Sequence, residues 1–208
     1  MGGTPLTAGR ALLQVAIADP EPTVDNLRAT CEELVELSGR QEHLIAALFT
    51  LADSERGLAR TQSLDLAEIT REVIRHRQHE IERHGIRLTS ALNPAPVTGD
   101  LSLVRSLIGN LIDNAIRHNL PGGTVEVSTV LTAAGAAITV GNTGTLIPPE
   151  AVDDLFQPFR QLGTQRIRYG EGHGLGLAII RAIAGAHDAT LTASPRPQGG
   201  LDLEVIFP

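Results

Sequence analysis

Two asparagines and two basic side chains are spaced so that they share one face of a helix near the middle of the chain. Asn110 and Asn114 are four residues apart, and Arg117 and His118 fall on or beside the same face. Amide oxygens can bind Mg²⁺, and arginine or histidine can bind phosphate. The four side chains therefore predict a site for metal-bound phosphate. The alternative is an ordinary solvated polar stripe.

Two glycine-bearing segments further along the chain could complete such a site. The segment 170–177, Gly-Glu-Gly-His-Gly-Leu-Gly-Leu, opens a predicted helix and would let the backbone approach phosphate. The polar segment 161–169 before it has no strand pattern, so a lid fits better than the turn of a dinucleotide-binding βαβ unit. A surface linker is the alternative. The segment 141–145, Gly-Asn-Thr-Gly-Thr, could place a polar side chain at a purine edge or form a plain turn.

The composition excludes several other kinds of site. The 208 residues include seventeen arginines and no lysine, which rules out a Walker P-loop and a Schiff-base lysine. Cys31 is the only cysteine, so neither an internal disulfide nor a cysteine-rich zinc site can form. The net charge of -7 and the 2% of aromatic residues argue against nucleic acid as a partner. Because no run of about 18 apolar residues occurs, and no signal-peptide apolar region follows Met1, we expect a cytoplasmic chain without membrane contact.

Mixed helices and strands over residues 61–208 must position these segments. Asp65 and Asp100 are placed to cap two helices, and Gly85 is placed to end the first. The predicted helices run to about His84 and His118, with a third over 175–187, and the predicted strands are 86–90, 124–131, 136–141, 189–193 and 201–207. Pro148, Pro149 and Glu150 indicate a further helix start. This order predicts a layered α+β domain.

Residues 1–60 are predicted to form a separate helical domain. One helix spans 5–18, a proline-bearing break follows at 19–22, and a second helix spans 23–58. Leucines and Cys31 at steps of three and four give the second helix a heptad-like apolar seam. A single hairpin offers this seam too little partner surface, so we expect a homodimer through residues 5–60 as a four-helix bundle. The alternative is a core stripe that packs on the rest of the chain.

Four motifs occur in an order that resembles the ATP-binding domain of sensor histidine kinases. They are NLIDNAIRHN at 110–119, VGNTG at 140–144, LFQPFRQL at 155–162 and GHGLGL at 172–177. They match that family's N, G1, F and G2 boxes in order and spacing. The segment TPLT at 4–7 resembles the tail of the H box, so the resemblance covers the whole chain. It implies a Bergerat-type α/β sandwich, shared with gyrase and the heat-shock chaperone ATPase, that binds ATP and Mg²⁺.

The resemblance implies roles for the residues at the matching positions. Asn114 would coordinate Mg²⁺, while Asn110 and Arg117 would be catalytic residues beside the metal and the phosphates. The other implied nucleotide contacts are His118, Asn142, Gly144, Gly172, Gly174, Gly176, Leu175 and Leu177, with Phe156 and Phe159 packed beneath the lid. In an intact kinase of this family, the γ-phosphoryl passes to a histidine and then to the receiver-domain aspartate of a response regulator.

The G1 and H boxes depart from the family pattern. Asn142 stands where the family has an aspartate that contacts the adenine amino group. A neutral amide oxygen would have to accept that bond, so weaker ATP binding is expected. Leu146 replaces the later glycine of the same box. The acceptor histidine would precede Thr4 by four positions, and none of the seven histidines, His43 included, matches it.

These departures define the expected function and its alternative. We expect the cytoplasmic core of a two-component sensor histidine kinase, truncated at the H box, that does not phosphorylate itself. A longer parent protein with sensor segments upstream would be anchored in the membrane. The alternative is a nucleotide-binding or scaffolding dimer that has lost kinase chemistry and binds a response regulator. A Rossmann oxidoreductase ranks third, because no acidic ribose-binding residue follows a strand-turn-helix unit.

Overall fold

A computed structural model describes residues 5–19, 22–24, 26–31, 34, 61–157 and 176–208. Helix α1 spans Pro5–Ala18, as predicted for the first helix. Residues 24, 26–31 and 34 are also helical. The rest of the predicted second helix, with most of its apolar seam, lies outside the described residues. The hairpin and the homodimer therefore stay predictions.

The strands form a mixed five-stranded sheet and a separate two-stranded one. In the smaller sheet, β1 (Gln62–Asp65) pairs antiparallel with β3 (Pro96–Gly99). The larger sheet has the order β2-β4-β5-β7-β6. Its strands are β2 (Arg87–Leu92), β4 (Thr124–Thr132), β5 (Gly135–Asn142), β6 (Thr190–Pro195) and β7 (Leu201–Phe207). The β2–β4 pair is parallel and the other pairs are antiparallel.

Helices cover the apolar face of the larger sheet. They are α2 (Leu66–Arg83), α3 (Leu101–Arg117) and α4 (Gly176–Ala186). Helix α3 contacts both α2 and α4 and lies against β5. Strand residues alternate between buried and more exposed along β7, as expected for a sheet with one covered face. The predicted mixed α/β layer is confirmed, and it places the asparagine-bearing helix at the centre.

Helix α2 begins and ends where its sequence signals indicate. The Asp65 carboxylate accepts a hydrogen bond of 2.9 Å from the backbone N–H of Ala67, which makes Asp65 the N-cap. At the other end, Gly85 has a φ of 62°, and Ile86 donates its N–H to the Ile81 carbonyl. This is a Schellman ending, which needs a residue that adopts left-handed backbone without strain. The chain then turns directly into β2.

The predicted helix after Pro148 is replaced by two short 3₁₀ turns, Pro149–Ala151 and Asp153–Phe156. Pro148 is extended, with φ -61° and ψ 136°. The residue before a proline is pushed away from the helical region, so Pro148 stays outside the turn that Pro149 opens. The prolines mark where this turn begins, as predicted, but the chain does not continue from it into an α-helix.

Candidate functional site

Helix α3 presents two asparagine amides one helical turn apart. Asn110 is buried, and its Nδ2 donates to the Ser106 carbonyl oxygen at 2.8 Å. This bond leaves the Asn110 Oδ1 facing the start of α4, because a Cβ placed on Gly176 would lie 3.5 Å from it. The Asn114 side chain is half-buried and makes no hydrogen bond within the described part of the chain. Both amide oxygens are therefore available to a cation or another hard electrophile.

Helix α3 ends at the two basic residues of the predicted site. Arg117 is exposed and forms no ion pair with any described residue. His118 is the C-cap, and its backbone N–H donates to the Asn114 carbonyl at 3.0 Å. An arginine in the last turn also stabilises the negative end of the helix dipole, so its position has a structural benefit as well.

Asn142 is the last residue of β5 and comes directly against the end of α3. Its side chain is buried, and its Nδ2 donates to the carbonyl oxygens of Thr143 at 2.7 Å and His118 at 3.4 Å. The Oδ1 accepts no hydrogen bond from any described residue. Strand β5 extends one residue past the predicted strand end, and this extension fixes Asn142 in the sheet.

A fourth asparagine, Asn119, connects the end of α3 to the G1 box. Asn119 donates through Nδ2 to the carbonyls of Ala115 at 3.1 Å and Thr124 at 3.0 Å. Its Oδ1 accepts from the Leu120 N–H at 2.9 Å and from the Thr143 hydroxyl at 2.6 Å. An amide group has two donors and two acceptor positions, so Asn119 is fully satisfied. It therefore joins the end of α3 to the residue that follows Asn142.

The turn between β6 and β7 packs against the G1 box (residues 140–144) and the residue that follows it. Gly200 donates its N–H to the Thr145 carbonyl at 2.9 Å and has a φ of 104°. A Cβ on Gly200 would collide with the Asn142 carbonyl oxygen, so the two backbones can approach this closely only because Gly200 has no side chain. Gly144 is equally confined, since a Cβ there would lie 2.8 Å from the His118 carbonyl oxygen.

Arg196 lies over Gly141, the residue that precedes Asn142 on β5. Its Nε donates to the Asp202 carboxylate at 2.8 Å, and its Nη2 pairs with Glu126. Glu126, Gly141 and Asp202 are register partners on three adjacent strands, and Gly141 has no side chain in the way. The hydrogen bond to Asp202 raises the pKa of Arg196. Three strands are thus tied together directly beside Asn142.

Two further contacts hold α3 in place. Arg77 on α2 donates to both carboxylate oxygens of Asp113, at 2.6 and 3.0 Å, and this hydrogen bonding raises the pKa of Arg77. Asp100, the N-cap of α3, donates its backbone N–H to Nε2 of the buried His187 ring at 3.2 Å. Burial raises the pKa of Asp100, but hydrogen bonds from Ser102 and Leu103 outweigh it and hold the pKa below its ordinary value.

Most of the glycine-rich loop and part of the F box lie outside the described residues, including Gly172, Gly174, Leu175 and Phe159. Gly176 and Leu177 begin α4, with Leu177 buried in the core. Phe156 is buried beneath Arg181, whose guanidinium carbon lies 4.5 Å from the ring centre. Leu146 is 73% exposed, so it occupies no packed position in the turn.

Three features of the described residues concern other kinds of site. No three histidine, cysteine or acidic side chains are grouped there so that they could hold a metal ion. A cavity of about 350 Å³ lies between α4, β6 and the short 3₁₀ turns; Phe156 lines it, but none of the predicted nucleotide contacts does. No described helix is long and apolar enough to cross a membrane.

The end of α3, the end of β5 and the start of α4 therefore meet at one edge of the domain. A mixed sheet covered by helices, with paired asparagines on the central helix, is the arrangement of a GHKL-type ATP-binding domain. The profile of the histidine kinase-, DNA gyrase B- and HSP90-like ATPases matches residues 99–208. The chain belongs to this family.

Curated proteins similar to this chain include sensor kinases. The sensor protein CutS of Streptomyces coelicolor is 37% identical over 206 residues, covering 99% of this chain and 50% of CutS. The chain thus spans about half the length of this curated relative. The predicted resemblance to two-component sensor histidine kinases is confirmed.

Solved structures share the fold. The Acinetobacter baumannii histidine kinase AdeS matches 98% of this chain and 94% of its own, with a TM-score of 0.75 and 23% identity. The histidine kinase ThkA in complex with the response regulator protein TrrA matches 99% of this chain and 57% of its own, with a TM-score of 0.72 and 21% identity.

Proposed function

We propose that residues 61–208 bind ATP with Mg²⁺ and form the catalytic domain of a sensor histidine kinase. The observation that carries this proposal is the set of amide oxygens on Asn110, Asn114 and Asn142, which accept no hydrogen bond from any described residue, beside the exposed Arg117. Oxygen donors suit Mg²⁺, and an arginine suits phosphate. The residues present therefore fit a metal-bound nucleotide.

Each residue has a specific part in this proposal. Asn114 would hold the metal through Oδ1, and Asn110 would lie beside it. Arg117 would bind phosphate, and Asn142 would accept a hydrogen bond from the adenine amino group. The backbone of Gly172, Gly174 and Gly176 would contact the phosphates, with Gly144 and His118 bordering the nucleotide and Leu175 and Leu177 supporting the loop.

The chemistry would be transfer of the γ-phosphoryl group to a histidine. When bound, the metal supplies positive charge beside the phosphates; the chain's own residues position the nucleotide and stabilise charge. None of the seven histidines of the 208 residues occupies the family's acceptor position. We therefore expect no phosphohistidine on these residues, and transfer only to an acceptor histidine supplied with them.

A dimer and a response regulator are the proposed partners. On α1, the side chains of Leu13, Val15 and Ile17 are 47%, 71% and 81% exposed; Leu13 and Ile17, four residues apart, share a face that favours a helical partner. A homodimer through residues 5–60 would cover it. The complex of ThkA with TrrA supports a receiver-domain partner. Such a chain would work in the cytoplasm, whether or not a longer parent is anchored in a membrane.

Calorimetry tests nucleotide binding. We expect the 208-residue chain to bind ADP or ATP in the presence of Mg²⁺, and Asn114→Ala to lose the Mg²⁺-dependent part of the affinity. Asn93→Ala is the matched control, because Asn93 is exposed and lies outside the site. No binding at millimolar nucleotide would refute the proposal. The scaffolding alternative, which the unusual Asn142 favours, would then stand.

A further inference from the structure

The cavity of about 350 Å³ between α4, β6 and the short 3₁₀ turns is large enough to hold a small molecule. It is separate from the predicted nucleotide contacts, none of which lines it. Most of its wall consists of apolar side chains from three elements, among them Val152, Phe156, Ala184, Leu191 and Ala193. The apolar part of a ligand can therefore be buried there.

Arg181 supplies positive charge at this cavity. Its guanidinium carbon lies over the Phe156 ring, 4.5 Å from the ring centre, and both residues line the cavity. Arg181 makes no hydrogen bond or ion pair with any described residue, so its N–H donors have no acceptor in that part of the chain. A guanidinium matches a carboxylate through two parallel hydrogen bonds, which makes a carboxylate the group that fits here.

Gly185 leaves part of the cavity wall open. It lies in the last turn of α4, where glycine is less favourable than alanine. No described atom lies within 4 Å of a Cβ built at Gly185, so no close contact requires a glycine. Helix ending does not require it either, because Asp188 adopts the left-handed conformation there, with φ 51°, and Ala189 donates its N–H to the Ala184 carbonyl. The effect of this glycine is to keep space free beside the cavity.

Asp153 is the second charged residue on the wall, and no other carboxylate is among the described residues that line the cavity. It forms no ion pair with Arg181 or with another described residue. Its negative charge disfavours a ligand with a second anionic group, because like charges repel across a small apolar cavity. The charges on the wall therefore favour a ligand with a single carboxylate.

We propose that this cavity is a second small-molecule site, which binds a monocarboxylate with an apolar body. Arg181 would hold the carboxylate, and the apolar body would lie among Phe156, Leu191 and the free space beside Gly185. The site goes beyond the proposed function and does not depend on nucleotide binding.

The probe that tests this site is 3-phenylpropionate, titrated into the 208-residue chain without nucleotide and followed by ligand-detected NMR. It should bind about tenfold or more tightly than 3-phenylpropanamide, which has the same shape without the charge. Benzylmalonate, which adds a second carboxylate to the same body, should bind about threefold or more weakly than 3-phenylpropionate, because Asp153 repels the added charge.

Two variants assign the binding to this cavity. Arg181→Gln should remove the preference for the acid over the amide, and Arg71→Gln is the matched control, because Arg71 is exposed on α2 and does not line the cavity. Gly185→Leu should weaken both compounds about tenfold or more by occupying the free space. Its melting temperature should be equal or higher, since leucine forms helices better than glycine, so a loss of binding would not come from unfolding.

Three results would overturn the inference: no binding of 3-phenylpropionate at about 10 mM, equal affinity for it in Arg181→Gln and the unaltered chain, or unchanged affinity in Gly185→Leu. None of them bears on nucleotide binding, so the proposed function would still be decided by its own calorimetric test.

Discussion

Replacing Asn119 with alanine should destabilise the domain substantially, because this side chain makes four hydrogen bonds of 2.6 to 3.1 Å, to Ala115 on α3, Thr124 on β4, Leu120 and Thr143 of the G1 box. A net value near 1 kcal/mol for each bond, reduced where water reaches a freed partner, gives a loss of about 2–4 kcal/mol. For a chain of this size, each kcal/mol lowers the melting temperature by about 2–4 °C. We therefore expect the midpoint to fall by about 5–15 °C.

Thermal and urea unfolding measure this loss of stability. Thr143→Val is the second variant, which removes the partner of one of the four hydrogen bonds. Valine keeps the shape of Thr143 but removes the hydroxyl that donates to Asn119 and accepts from the Thr124 N–H at 2.8 Å. In a double-mutant cycle, the two changes should couple by about 1 kcal/mol, because they share one hydrogen bond. A loss below about 0.5 kcal/mol for Asn119→Ala would contradict the reasoning, and so would strict additivity in the cycle.

Three further changes test other parts of the domain. The pKa of Asp100 is depressed in the folded chain, so its carboxylate stabilises the fold fully above about pH 4 and loses this effect as the pH falls through the folded pKa. The unaltered chain should therefore be more stable than Asp100→Asn at neutral pH, and the difference should shrink toward about pH 2. A difference in unfolding midpoint that stays constant from about pH 2 to 7 would contradict this. Thr70→Val should stabilise by about 1 kcal/mol, because the buried Thr70 hydroxyl has no hydrogen-bond partner among the described residues, and a lower midpoint would refute it. Arg77→Met and Asp113→Asn should couple by about 1 kcal/mol in low salt and less in about 1 M salt; coupling that ignores salt would argue against an ion pair.

The main elements of the domain were predictable because their signals are local. Asp65 and Asp100 act as N-caps, Gly85 ends α2, and the alternating residues of 201–207 form β7. The pairing of β1 with β3 was not predictable. These strands have four residues each, contain proline, glycine and polar residues, and depend on contacts across more than thirty residues of chain.

The residue types of the site were predictable, but the contacts that hold these residues in place were not. Asn110 and Asn114 stand out by helical spacing alone, and Asn142 by its place in a glycine-bordered turn. Asn142 also donates to the His118 carbonyl, 24 residues earlier in the chain, and no local pattern encodes that contact. Arg196 was missed for the same reason, since its partners Glu126 and Asp202 come from two other strands.

Phosphoryl transfer tests the central claim most directly. The segment His-Glu-Leu-Arg placed ahead of Thr4 would supply the acceptor that the resemblance assigns, with a version carrying glutamine for that histidine as its control. Incubated with γ-labelled ATP and Mg²⁺, the histidine-bearing chain should gain acid-labile label that is absent from the glutamine control and from the same chain with Asn114→Ala. Nucleotide binding without any label on that histidine would contradict the assignment of a kinase domain.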